Sequence, residues 1–472
     1  MSAEREVDVV VVGAGAVGEN VADRASRTGL DVVVVEKELV GGECSYWACM
    51  PSKALLRPGQ VLAAARRLPG AAEAVTGTLD AEQVLRRRTS FTSDWDDSGQ
   101  VSWLESAGLS LIRGTARLSG PRRVEVAGAD GATTVLTARQ AVVLSTGSVP
   151  VVPDVPGLAD ASPWTSREAT SAKSVPGRLV VLGGGVVAVE MAQAWARLGS
   201  QVTMLVRGGL LRGQEDFAGE LVAAALREDG VDLRLGAEPT RVSRDGSVRV
   251  ELADGSVLEA DEFLVATGRR PVTSGIGLDT VGLQDGGSLT VDDSGLVAGV
   301  EGEWLYATGD VSGRVRLTHQ GKYDARITGD AIAARAAGPV DASPWSKFAA
   351  TADHAAVPQV VFTDPEVAQV GLTAAQAREK GLDVRVVDYE IGDVAGASVL
   401  ADGYTGTARM VVDEQRRVIV GMTFVGQEVA ELLHSATIAI VGEVPLERLW
   451  HAVPSYPTVS EVWLRLLETY GL

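Results

Sequence analysis

The chain contains 472 residues, of which 54 are glycine, and it carries a formal net charge of −19 at pH 7. This length predicts two or three domains, and the acidic balance argues against nucleic acid or an anionic membrane as a partner, because phosphate binding needs basic patches. A hydrophobic content of 46% with 5% aromatic residues is typical of an α/β protein with many tight turns. We find neither a targeting signal nor an apolar run long enough to span a bilayer, and we therefore expect a cytoplasmic protein.

The N-terminal segment has the pattern of a dinucleotide-binding unit. An apolar run at residues 7–12 leads into a turn with Gly13, Gly15 and Gly18, and a second apolar run ends at Glu36, eighteen positions after Gly18. In such a unit the glycines admit a pyrophosphate at a helix N-terminus, and the acid accepts hydrogen bonds from a ribose. A glycine turn without a ligand is the alternative interpretation.

The only two cysteines of the chain, Cys44 and Cys49, stand close together in a glycine-flanked segment. Pro51 predicts the first turn of a helix directly after them, and a helix N-terminus lowers the pKa of a nearby thiol. The spacing favours a redox-active dithiol over a zinc site, because zinc needs four ligands and the four histidines lie far off in sequence. Two buried, inert cysteines are the alternative.

Helices and then short strands are predicted between the dithiol segment and the middle of the chain. We expect a helix from Lys53 to about Leu68 that is interrupted at Pro58, and a helical stretch over residues 81–108. Strands are predicted at residues 110–113, 122–126, 133–137 and 141–144. The last strand ends in a small-residue turn with Thr146 and Gly147, after which prolines mark a crossing into another domain.

A second unit of strand, glycine-rich turn and helix occurs near the middle of the chain. Its turn contains Gly183 and Gly185, and its second strand ends in Arg207, with Arg212 five residues later. An arginine pair at this place suits the 2′-phosphate of NADP, while ordinary exposed arginines are the alternative. Two dinucleotide sites imply two cofactors, so that a hydride from one can pass through the other to the dithiol.

Two further glycine turns follow strands later in the chain. Gly268 follows a predicted strand at residues 262–266, and Asp310 ends a turn that begins at Thr308. Asp310 can hold a cofactor hydroxyl group, or it can cap the next helix. Beyond about Pro344 the pattern changes to strands alternating with two amphipathic helices, which fits an association domain rather than a third nucleotide-binding fold.

Together these motifs resemble those of the flavoprotein disulfide reductases of the pyridine nucleotide-disulfide oxidoreductase family. The resemblance runs essentially end to end, and it is carried by the segment from Gly41 to Lys53, the turn from Thr308 to Asp310 and the tail from Pro457 to Glu461. It implies an α/β fold with two Rossmann-like dinucleotide-binding domains and a C-terminal α+β dimerisation domain. The implied boundaries are residues 1–150 and 271–343 for an FAD-binding domain, 151–270 for an NAD(P)H-binding domain and 344–472 for the dimerisation domain.

The resemblance also implies a role for each site residue. Cys49 would lie against the flavin as the charge-transfer thiol, and Cys44 would face the substrate as the interchange thiol. Lys53 and Glu190 would pair beside the flavin N5. The residues implied in cofactor binding are Gly13, Gly15, Gly18, Glu36, Lys53, Thr146, Gly147 and Asp310 for FAD, and Gly183, Gly185, Ala188, Arg207, Arg212 and Gly268 for the nicotinamide nucleotide.

Departures from the family pattern bear on the choice of hydride donor and on the part of the site that faces the oxidised substrate. Ala188 stands where NAD-preferring members have a third glycine and Val206 where they have the ribose-binding acid, so NADPH is preferred over NADH. Tyr456 stands where the family has a histidine that acts from the partner subunit as acid and base for the interchange thiol, while Glu461 is retained. A phenol with a pKa of about 10 is a poor base at neutral pH. His451 would substitute only after a backbone rearrangement.

We therefore expect an NADPH-dependent FAD dithiol reductase, a homodimer whose Cys44 attacks a disulfide or another thiol-reactive small molecule. An enzyme that sends electrons to a quinone, a metal ion or a dye without thiol exchange is the second hypothesis, and the lost histidine favours it. A dihydrolipoamide dehydrogenase-like subunit of a multienzyme complex is the third, against which Tyr456 and the NADP-like site speak. Mercuric reductase-like proteins need an additional C-terminal cysteine pair, whereas this chain has 2 cysteines in all.

Overall fold

The computed structural model describes residues 3–472, which fall into two compact units. Unit 1 consists of residues 3–51, Thr89–Val149 and Arg269–Asp353, and unit 2 consists of Ser52–Arg88, Pro150–Gly268 and His354–Leu472. Within residues 3–472, no helix is long and apolar enough to cross a membrane.

The strands are, in chain order, β1 Ala3–Val12, β2 Val32–Glu36, β3 Ser110–Arg113, β4 Thr115–Gly120, β5 Arg123–Ala127, β6 Thr133–Leu144, β7 Ser148–Pro150, β8 Arg178–Leu182, β9 Gln201–Val206, β10 Asp232–Leu235, β11 Pro239–Asp245, β12 Ser247–Leu252, β13 Val257–Ala260, β14 Glu262–Val265, β15 Arg269–Pro271, β16 Leu305–Ala307, β17 Pro358–Val361, β18 Glu366–Gly371, β19 Val384–Glu390, β20 Thr407–Asp413 and β21 Val418–Gly426.

The α-helices are, in chain order, α1 Ala16–Ser26, α2 Gly42–Tyr46, α3 Cys49–Arg66, α4 Ala81–Phe91, α5 Ser98–Ser106, α6 Ser166–Ser171, α7 Val186–Arg197, α8 Asp216–Glu228, α9 Thr318–Arg335, α10 Ala374–Glu379, α11 Ala395–Leu400, α12 Leu433–Val441, α13 Leu446–Leu449 and α14 Val462–Tyr470.

Unit 1 is built on a seven-stranded sheet with the order β3-β2-β1-β6-β5-β4, in which β16 also pairs with β6. The strands β3, β2, β1, β6 and β16 run parallel, whereas β5 and β4 are antiparallel additions. The valines of β1 and β2 are buried on both faces, as expected for strands inside a parallel sheet. The carboxyl ends of the parallel strands therefore meet at one edge of this sheet.

Helices α1 and α9 of unit 1 pack with their backbones close together. A Cβ added at Gly321 would lie 2.7 Å from the Val17 side chain, and one at Gly329 would lie 2.8 Å from the Val21 carbonyl oxygen. Glycine is needed at both positions because any larger residue would push the helices apart. This packing holds the first turn of α9 against the first turn of α1.

Unit 2 contains a parallel sheet of order β10-β9-β8-β14, an antiparallel sheet of order β11-β12-β13, and an antiparallel sheet of order β17-β18-β21-β20-β19. The fully buried Trp195 of α7 lies in its largest hydrophobic cluster. The predicted fold class is confirmed, with a parallel sheet and glycine-turn helix in each unit and an α+β C-terminal region. The three predicted domain boundaries stay a prediction.

The predicted interruption of the third helix at Pro58 is wrong, because α3 runs unbroken from Cys49 to Arg66. A proline has no N–H, so the carbonyl of Ala54, four residues earlier, lacks its helical donor. Arg87 supplies a replacement, since its Nη1 donates to the Ala54 oxygen at 3.3 Å. A side chain distant in sequence thus satisfies the carbonyl that the proline leaves free.

The stretch predicted as helical over residues 81–108 is divided into α4 and α5. Between them Ser93, Asp94 and Trp95 all have positive φ angles, a conformation that ends a right-handed helix. Two of the predicted strands, at residues 133–137 and 141–144, are parts of the single strand β6. Its first half pairs with β5, its second half pairs with β16, and β1 pairs with both halves, so one long strand takes part in three pairings.

Candidate active site

The dithiol segment lies directly against the first glycine turn in unit 1. Gly41 donates its N–H to the Ala14 carbonyl oxygen at 2.7 Å, and Gly15 and Gly41 form a parallel bridge. A Cβ on Gly42 would lie 2.8 Å from the Gly15 Cα, so the two backbones can approach this closely only with glycine. The glycine turn and the segment with the cysteines therefore form one local structure.

The two cysteine thiols are neighbours, with Cys44 inside α2 and Cys49 at the start of α3. Neither cysteine is in a disulfide bond, and Cys49 Sγ lies 3.2 Å from Oγ1 of Thr318, the first residue of α9. The hydrogen bond with Cys49 raises the pKa of Cys44 far above its usual value, and burial and the negative charge of Cys49 add to this effect. Thr318 and Lys322 act in the opposite direction.

The expectation of a lowered thiol pKa at a helix N-terminus does not hold for Cys44. The helix begins at Cys49 itself, two residues before Pro51, so the positive end of its dipole acts on Cys49. Cys44 instead sits within the short helix α2, away from the N-terminus of α3.

The first glycine turn leaves room for a phosphate group. Gly13 has a φ of +103°, and an added Cβ would overlap the Ser145 carbonyl oxygen, while one on Gly18 would overlap the Gly13 carbonyl oxygen. Gly15 is the N-cap of α1, and because it has no side chain, the amides of the first turn stay open toward an anion. This cradle fits the pyrophosphate of a dinucleotide such as FAD.

Glu36 ends β2 at the same turn. Its Oε2 accepts from the Ala14 N–H at 2.7 Å, and its Oε1 accepts from the Glu38 N–H at 2.8 Å. These two backbone donors hold the carboxylate beside the glycines. An acid in this place suits hydrogen bonding to a ribose hydroxyl group, as the sequence predicts.

The turns after β6 and β16 also lie together, because the two strands are parallel neighbours. Asp310 accepts a hydrogen bond from the Ser148 hydroxyl group. Thr146 donates to the Val272 carbonyl oxygen at 2.7 Å, and Gly147 has a φ of +71°. The N-cap of α9 lies seven residues beyond Asp310, so this carboxylate faces the turn after β6 instead of capping the helix.

Unit 2 contains the second glycine turn. Gly183 has a φ of +135°, and an added Cβ would overlap the Ala266 carbonyl oxygen at the end of the adjacent strand β14. Gly185 is the N-cap of α7, and Ala188 is fully buried one turn into that helix. Gly268 has a φ of +128°. These features match the first turn and fit a second dinucleotide phosphate.

The two predicted arginines occupy the loop after β9. The Arg207 side chain is 81% exposed, and its Nε lies 3.7 Å from Glu238 Oε1. The Arg212 guanidinium group lies over Gly208, where Nη1 would be 3.3 Å from an added Cβ. A long, exposed ion pair contributes little to stability, so the charge of Arg207 remains accessible to an anionic ligand.

Lys53 and Glu190 are brought together within unit 2. Lys53 Nζ lies 2.8 Å from Glu190 Oε2, and the Glu190 side chain is 3% exposed. The other oxygen, Oε1, accepts from the Phe362 N–H at 2.9 Å, and Lys53 Nζ lies 4.9 Å from the centre of the Phe362 ring. Both oxygens of the buried carboxylate are therefore engaged, which holds the ammonium group in one place.

The two predicted site residues of the tail have different surroundings. Tyr456 is 76% exposed, whereas Glu461 is buried and forms a salt bridge with Arg465 at 2.6 Å. The backbone between them is held by α11, because a Cβ on Gly396 would overlap the Thr458 carbonyl group. The structure thus presents the phenol to solvent and leaves Glu461 with Arg465.

Four residues near the dithiol segment were missed from the sequence: Thr318, Lys322, Glu19 and Arg269. Thr318 and Lys322 stand four residues apart on α9, and Glu19 lies in the first turn of α1, directly after the third glycine. An acidic residue directly after that glycine was a signal available in the sequence. The approach of α9 to the cysteines was not, because it depends on how two helices pack.

Comparison with known proteins places the chain in a family. Residues 7–325 match the family described as pyridine nucleotide-disulphide oxidoreductase, and residues 357–466 match the dimerisation domain of that family. Mercuric reductase of Staphylococcus aureus is 30% identical over 462 residues, which cover 97% of this chain and 81% of that protein. Dihydrolipoyl dehydrogenase of Haloferax volcanii is 32% identical over 473 residues, which cover 98% of this chain and 95% of that protein.

Solved structures agree with this assignment. The HOCl-induced flavoprotein disulfide reductase RclA from Escherichia coli has a TM-score of 0.82 at 25% identity, covering 98% of this chain and 99% of RclA. The Cu(II) complex of the same protein has a TM-score of 0.83 at 24% identity. The resemblance drawn from the motifs is confirmed. The chain therefore belongs to the pyridine nucleotide-disulphide oxidoreductase family, whose enzymes depend on FAD and use a nicotinamide nucleotide.

Proposed function

We propose that the protein is an NADPH-dependent dithiol reductase that passes a hydride through FAD to Cys44 and Cys49. The observation that carries the proposal is the pair of adjacent thiols, of which Cys49 contacts Thr318, while the hydrogen bond with Cys49 and burial raise the pKa of Cys44. The dithiol gives up two electrons and two protons when it becomes a disulfide. An acceptor disulfide takes up the same two electrons and two protons when it becomes two thiols.

The chain's own residues supply binding, orientation and charge in this scheme. When bound, FAD accepts a hydride from the nicotinamide and delivers two electrons to the cysteine pair. The glycine turn at the start of α1 fits the pyrophosphate, and Glu36 fits the ribose. The remaining proposed flavin-site residues are Thr146, Gly147 and Asp310, together with Lys53 and Glu190 as a charge pair.

NADPH is the proposed hydride donor. The second glycine turn offers a phosphate cradle, and Arg207 and Arg212 follow the strand at whose end an NAD-binding unit carries an acid. A 2′-phosphate adds negative charge that an exposed guanidinium group can bind through paired hydrogen bonds. The weak pairing of Arg207 with Glu238 leaves it available for that contact.

The proposed assembly is a cytoplasmic homodimer in which the tail of one subunit serves the dithiol of the other. Residues 357–466 match a dimerisation domain, and the exposure of Tyr456 in a single chain supports a role toward a partner. Tyr456 would donate a hydrogen bond or a proton at the substrate side. Glu461, which is paired with Arg465, would orient the tail.

The test is an anaerobic titration of the FAD-loaded protein with NADPH. We expect a long-wavelength thiolate–flavin absorption band at two-electron reduction, because Cys49, at the N-terminus of α3, is the proposed charge-transfer thiol. Cys44→Ser should keep the band, Cys49→Ser should lose it, and Ser45→Ala serves as the control beside Cys44. A parent protein that takes up two electrons without this band would overturn the assignment of Cys49.

The acceptor is the part of the proposal that needs a screen of small disulfides, quinones and soft metal ions. The replacement of the family histidine by Tyr456 favours, as a second candidate, direct electron transfer to a quinone, a dye or a metal ion. One similar protein is a mercuric reductase, and a solved structure of RclA is a Cu(II) complex. Turnover that survives Cys44→Ser, in a protein without disulfide activity, would select this candidate.

A dihydrolipoamide dehydrogenase-like subunit of a multienzyme complex is the third candidate. The 32% identity to the dihydrolipoyl dehydrogenase of Haloferax volcanii favours it, whereas Tyr456 and the arginine pair argue against it. Its test is a pull-down with a lipoyl-bearing complex, and failure to bind would remove it.

A further inference from the structure

The loop after β9, residues 207–215, carries the two arginines proposed for the 2′-phosphate of NADPH. The Arg207 side chain is largely exposed, and its contact with Glu238 is too long to fix where it lies. The Arg212 guanidinium group lies over Gly208 of the same loop. The loop backbone therefore places both charges, and the contacts that hold this backbone decide how well they are placed.

One end of the loop is held by the second glycine turn. Leu211 donates its N–H to the Gly184 carbonyl oxygen at 2.8 Å. Leu210 and Leu211 are buried in the largest hydrophobic cluster of unit 2. A Cβ on Gly184 would lie 3.3 Å from the Gly209 carbonyl oxygen, so the loop backbone lies directly on the turn. This end of the loop is thus fixed beside the phosphate cradle.

The other end of the loop is held by the C-terminal region through Glu215. This residue is the N-cap of α8, and both oxygens of its carboxylate bind residues beyond position 370. Oε1 accepts from the Ala374 N–H at 2.7 Å, and Oε2 lies 2.9 Å from Nη1 of Arg409 on β20. The Glu215 side chain is 6% exposed, so water and salt weaken this charge-assisted contact little.

Arg409 is itself fixed on the C-terminal sheet. Its Nε and Nη2 donate to the two oxygens of Asp388, the residue directly opposite on β19, each at 2.7 Å. This paired geometry sets the plane of the guanidinium group. The guanidinium carbon also lies 5.1 Å from the centre of the Phe217 ring in the first turn of α8. One arginine of the sheet therefore contacts the start of α8 twice, through Glu215 and through Phe217.

We propose that Glu215 and Arg409 are positioning residues that hold the loop in the place where its two arginines meet the 2′-phosphate of NADPH. The inference rests on the proposed function of those arginines. Residues 357–466 match a dimerisation domain, and Arg409 is one of them. Part of the preference for NADPH is thus assigned to a residue outside the predicted nucleotide-binding domain.

Loss of the pair should weaken the binding of NADPH and spare that of NADH. A loop released at Glu215 samples other positions, and the apparent dissociation constant rises by the inverse of the fraction of molecules in which the arginines are in place. A fraction of about 0.1 to 0.3 gives a rise of about threefold to tenfold. NADH lacks the 2′-phosphate, so its binding does not depend on that fraction. A merely structural role of the pair would affect both nucleotides alike.

The experiment is isothermal titration calorimetry of the FAD-loaded protein with NADP⁺ and with NAD⁺, which bind without donating a hydride. It measures the ratio of the two dissociation constants in the parent, in Glu215→Gln, in Arg409→Met and in the double variant. We expect each variant to raise the dissociation constant of NADP⁺ by about threefold to tenfold and that of NAD⁺ by less than about twofold. The double variant should lose no more than the larger single loss, because the two residues form one contact.

The matched control is Arg244→Met, which breaks an ion pair of 2.6 Å between the partly buried side chains of Arg244 and Glu262. Glu262 begins β14, whereas the loop follows the end of β9 in the same parallel sheet, so this control should keep the parent ratio. Flavin content and thermal unfolding show whether each variant is folded. The double variant leaves neither charge of the pair buried alone, and it tests the inference even where Arg409→Met fails to fold.

Parent ratios in Glu215→Gln and in the double variant would overturn the inference. The variant with alanine at both Arg207 and Arg212, titrated in the same way, separates this result from a failure of the proposed function. A reduced preference for NADP⁺ in the alanine variant alone would retain the 2′-phosphate site and remove the role of Glu215 and Arg409. An unchanged ratio in the alanine variant would overturn the 2′-phosphate site and this inference together.

Discussion

Arg269 connects the dithiol segment with the turn after β6. Its Nε donates to Ser148 Oγ at 2.8 Å, its Nη2 donates to the Ser148 carbonyl oxygen at 2.7 Å, and Nη2 also lies 3.4 Å from Glu43 Oε2. Glu43 immediately precedes Cys44 in α2, and Ser148 in turn donates to Asp310. One guanidinium group therefore ties the cysteine helix to the proposed flavin-binding carboxylate.

Replacing Arg269 by methionine should lower the free energy of unfolding of the FAD-loaded protein by about 2 kcal/mol. The expected loss reflects charge-assisted hydrogen bonds to partly buried groups. Urea denaturation measures it. The control is Arg117→Met, which breaks an ion pair of 3.0 Å with Glu125 at the surface and should cost less than about 1 kcal/mol. Equal losses in the two variants would contradict the prediction.

Asp324 should make the protein less stable as pH rises. Burial raises the pKa of Asp324 to about 8, the charge of Asp353 and a hydrogen bond with it add to this, and Arg314 opposes it. The folded state therefore holds this proton more tightly than the unfolded state. The stabilisation is complete below the unfolded pKa of about 4 and is lost as pH rises toward the folded value.

The substitution Asp324→Asn keeps the uncharged form at every pH. We expect a higher melting temperature than that of the parent at pH 8 and a flatter dependence of stability between pH 5 and pH 9. Thermal unfolding across this range checks it, with the exposed Asp279→Asn as the control. A parent-like pH dependence in Asp324→Asn would show that the proton is held elsewhere.

Arg87 should matter more to stability because Pro58 lies in α3. Arg87→Met leaves the buried Ala54 carbonyl without its donor and should cost about 1 kcal/mol. In a Pro58→Ala background the helix provides its own N–H to Ala54, so the same change should cost less. Urea midpoints of the four proteins give the interaction energy.

The neighbouring Arg86→Met serves as the control for this cycle, because Arg86 pairs with Glu82 at the surface. Its effect should be small and the same in both backgrounds. An Arg87→Met cost that does not change with residue 58 would mean that the hydrogen bond to Ala54 is not the stabilising contact.

The nucleotide preference should depend on the loop after β9. Replacing Arg207 and Arg212 together by alanine should lower kcat/KM for NADPH by about tenfold to a hundredfold, because about 1.4 kcal/mol corresponds to a factor of ten. The value for NADH should change little, since NADH lacks the 2′-phosphate. Arg234→Ala, on the neighbouring strand β10, is the control. Equal losses with both nucleotides would contradict a 2′-phosphate site.

The parts of the fold that the sequence predicts are those formed by contiguous residues. The turn at Gly13 to Gly18 can be predicted because the preceding strand, the glycines and Glu36 follow one another along a short stretch of sequence. The same holds for the second turn after β8 and for the close spacing of the two cysteines. Lys53 and Glu190 are 137 residues apart, and only the family pattern indicated their pairing, which the structure shows.

The features that escaped prediction depend on contacts between distant segments. The unbroken course of α3 through Pro58 needs Arg87, which a local rule for proline does not include. The hydrogen bond with Cys49 and burial raise the pKa of Cys44. Both effects oppose the lowering of the pKa that the sequence predicts from a helix dipole. Glu19 is an ordinary surface acid by residue type, whereas in the structure its Oε1 atom is buried and has no hydrogen-bond partner within residues 3–472.

The contact between α11 and the tail offers a route by which related chains can come to prefer different electron acceptors. Gly396 touches the carbonyl group of Thr458, so a single methyl group at residue 396 would displace the backbone that carries Tyr456. The geometry of the tail can thus be changed by a mutation at residue 396, 60 positions before Tyr456, that alters no polar group. A comparison restricted to the tail motif would overlook such a change, whereas one that includes helix α11 would detect it.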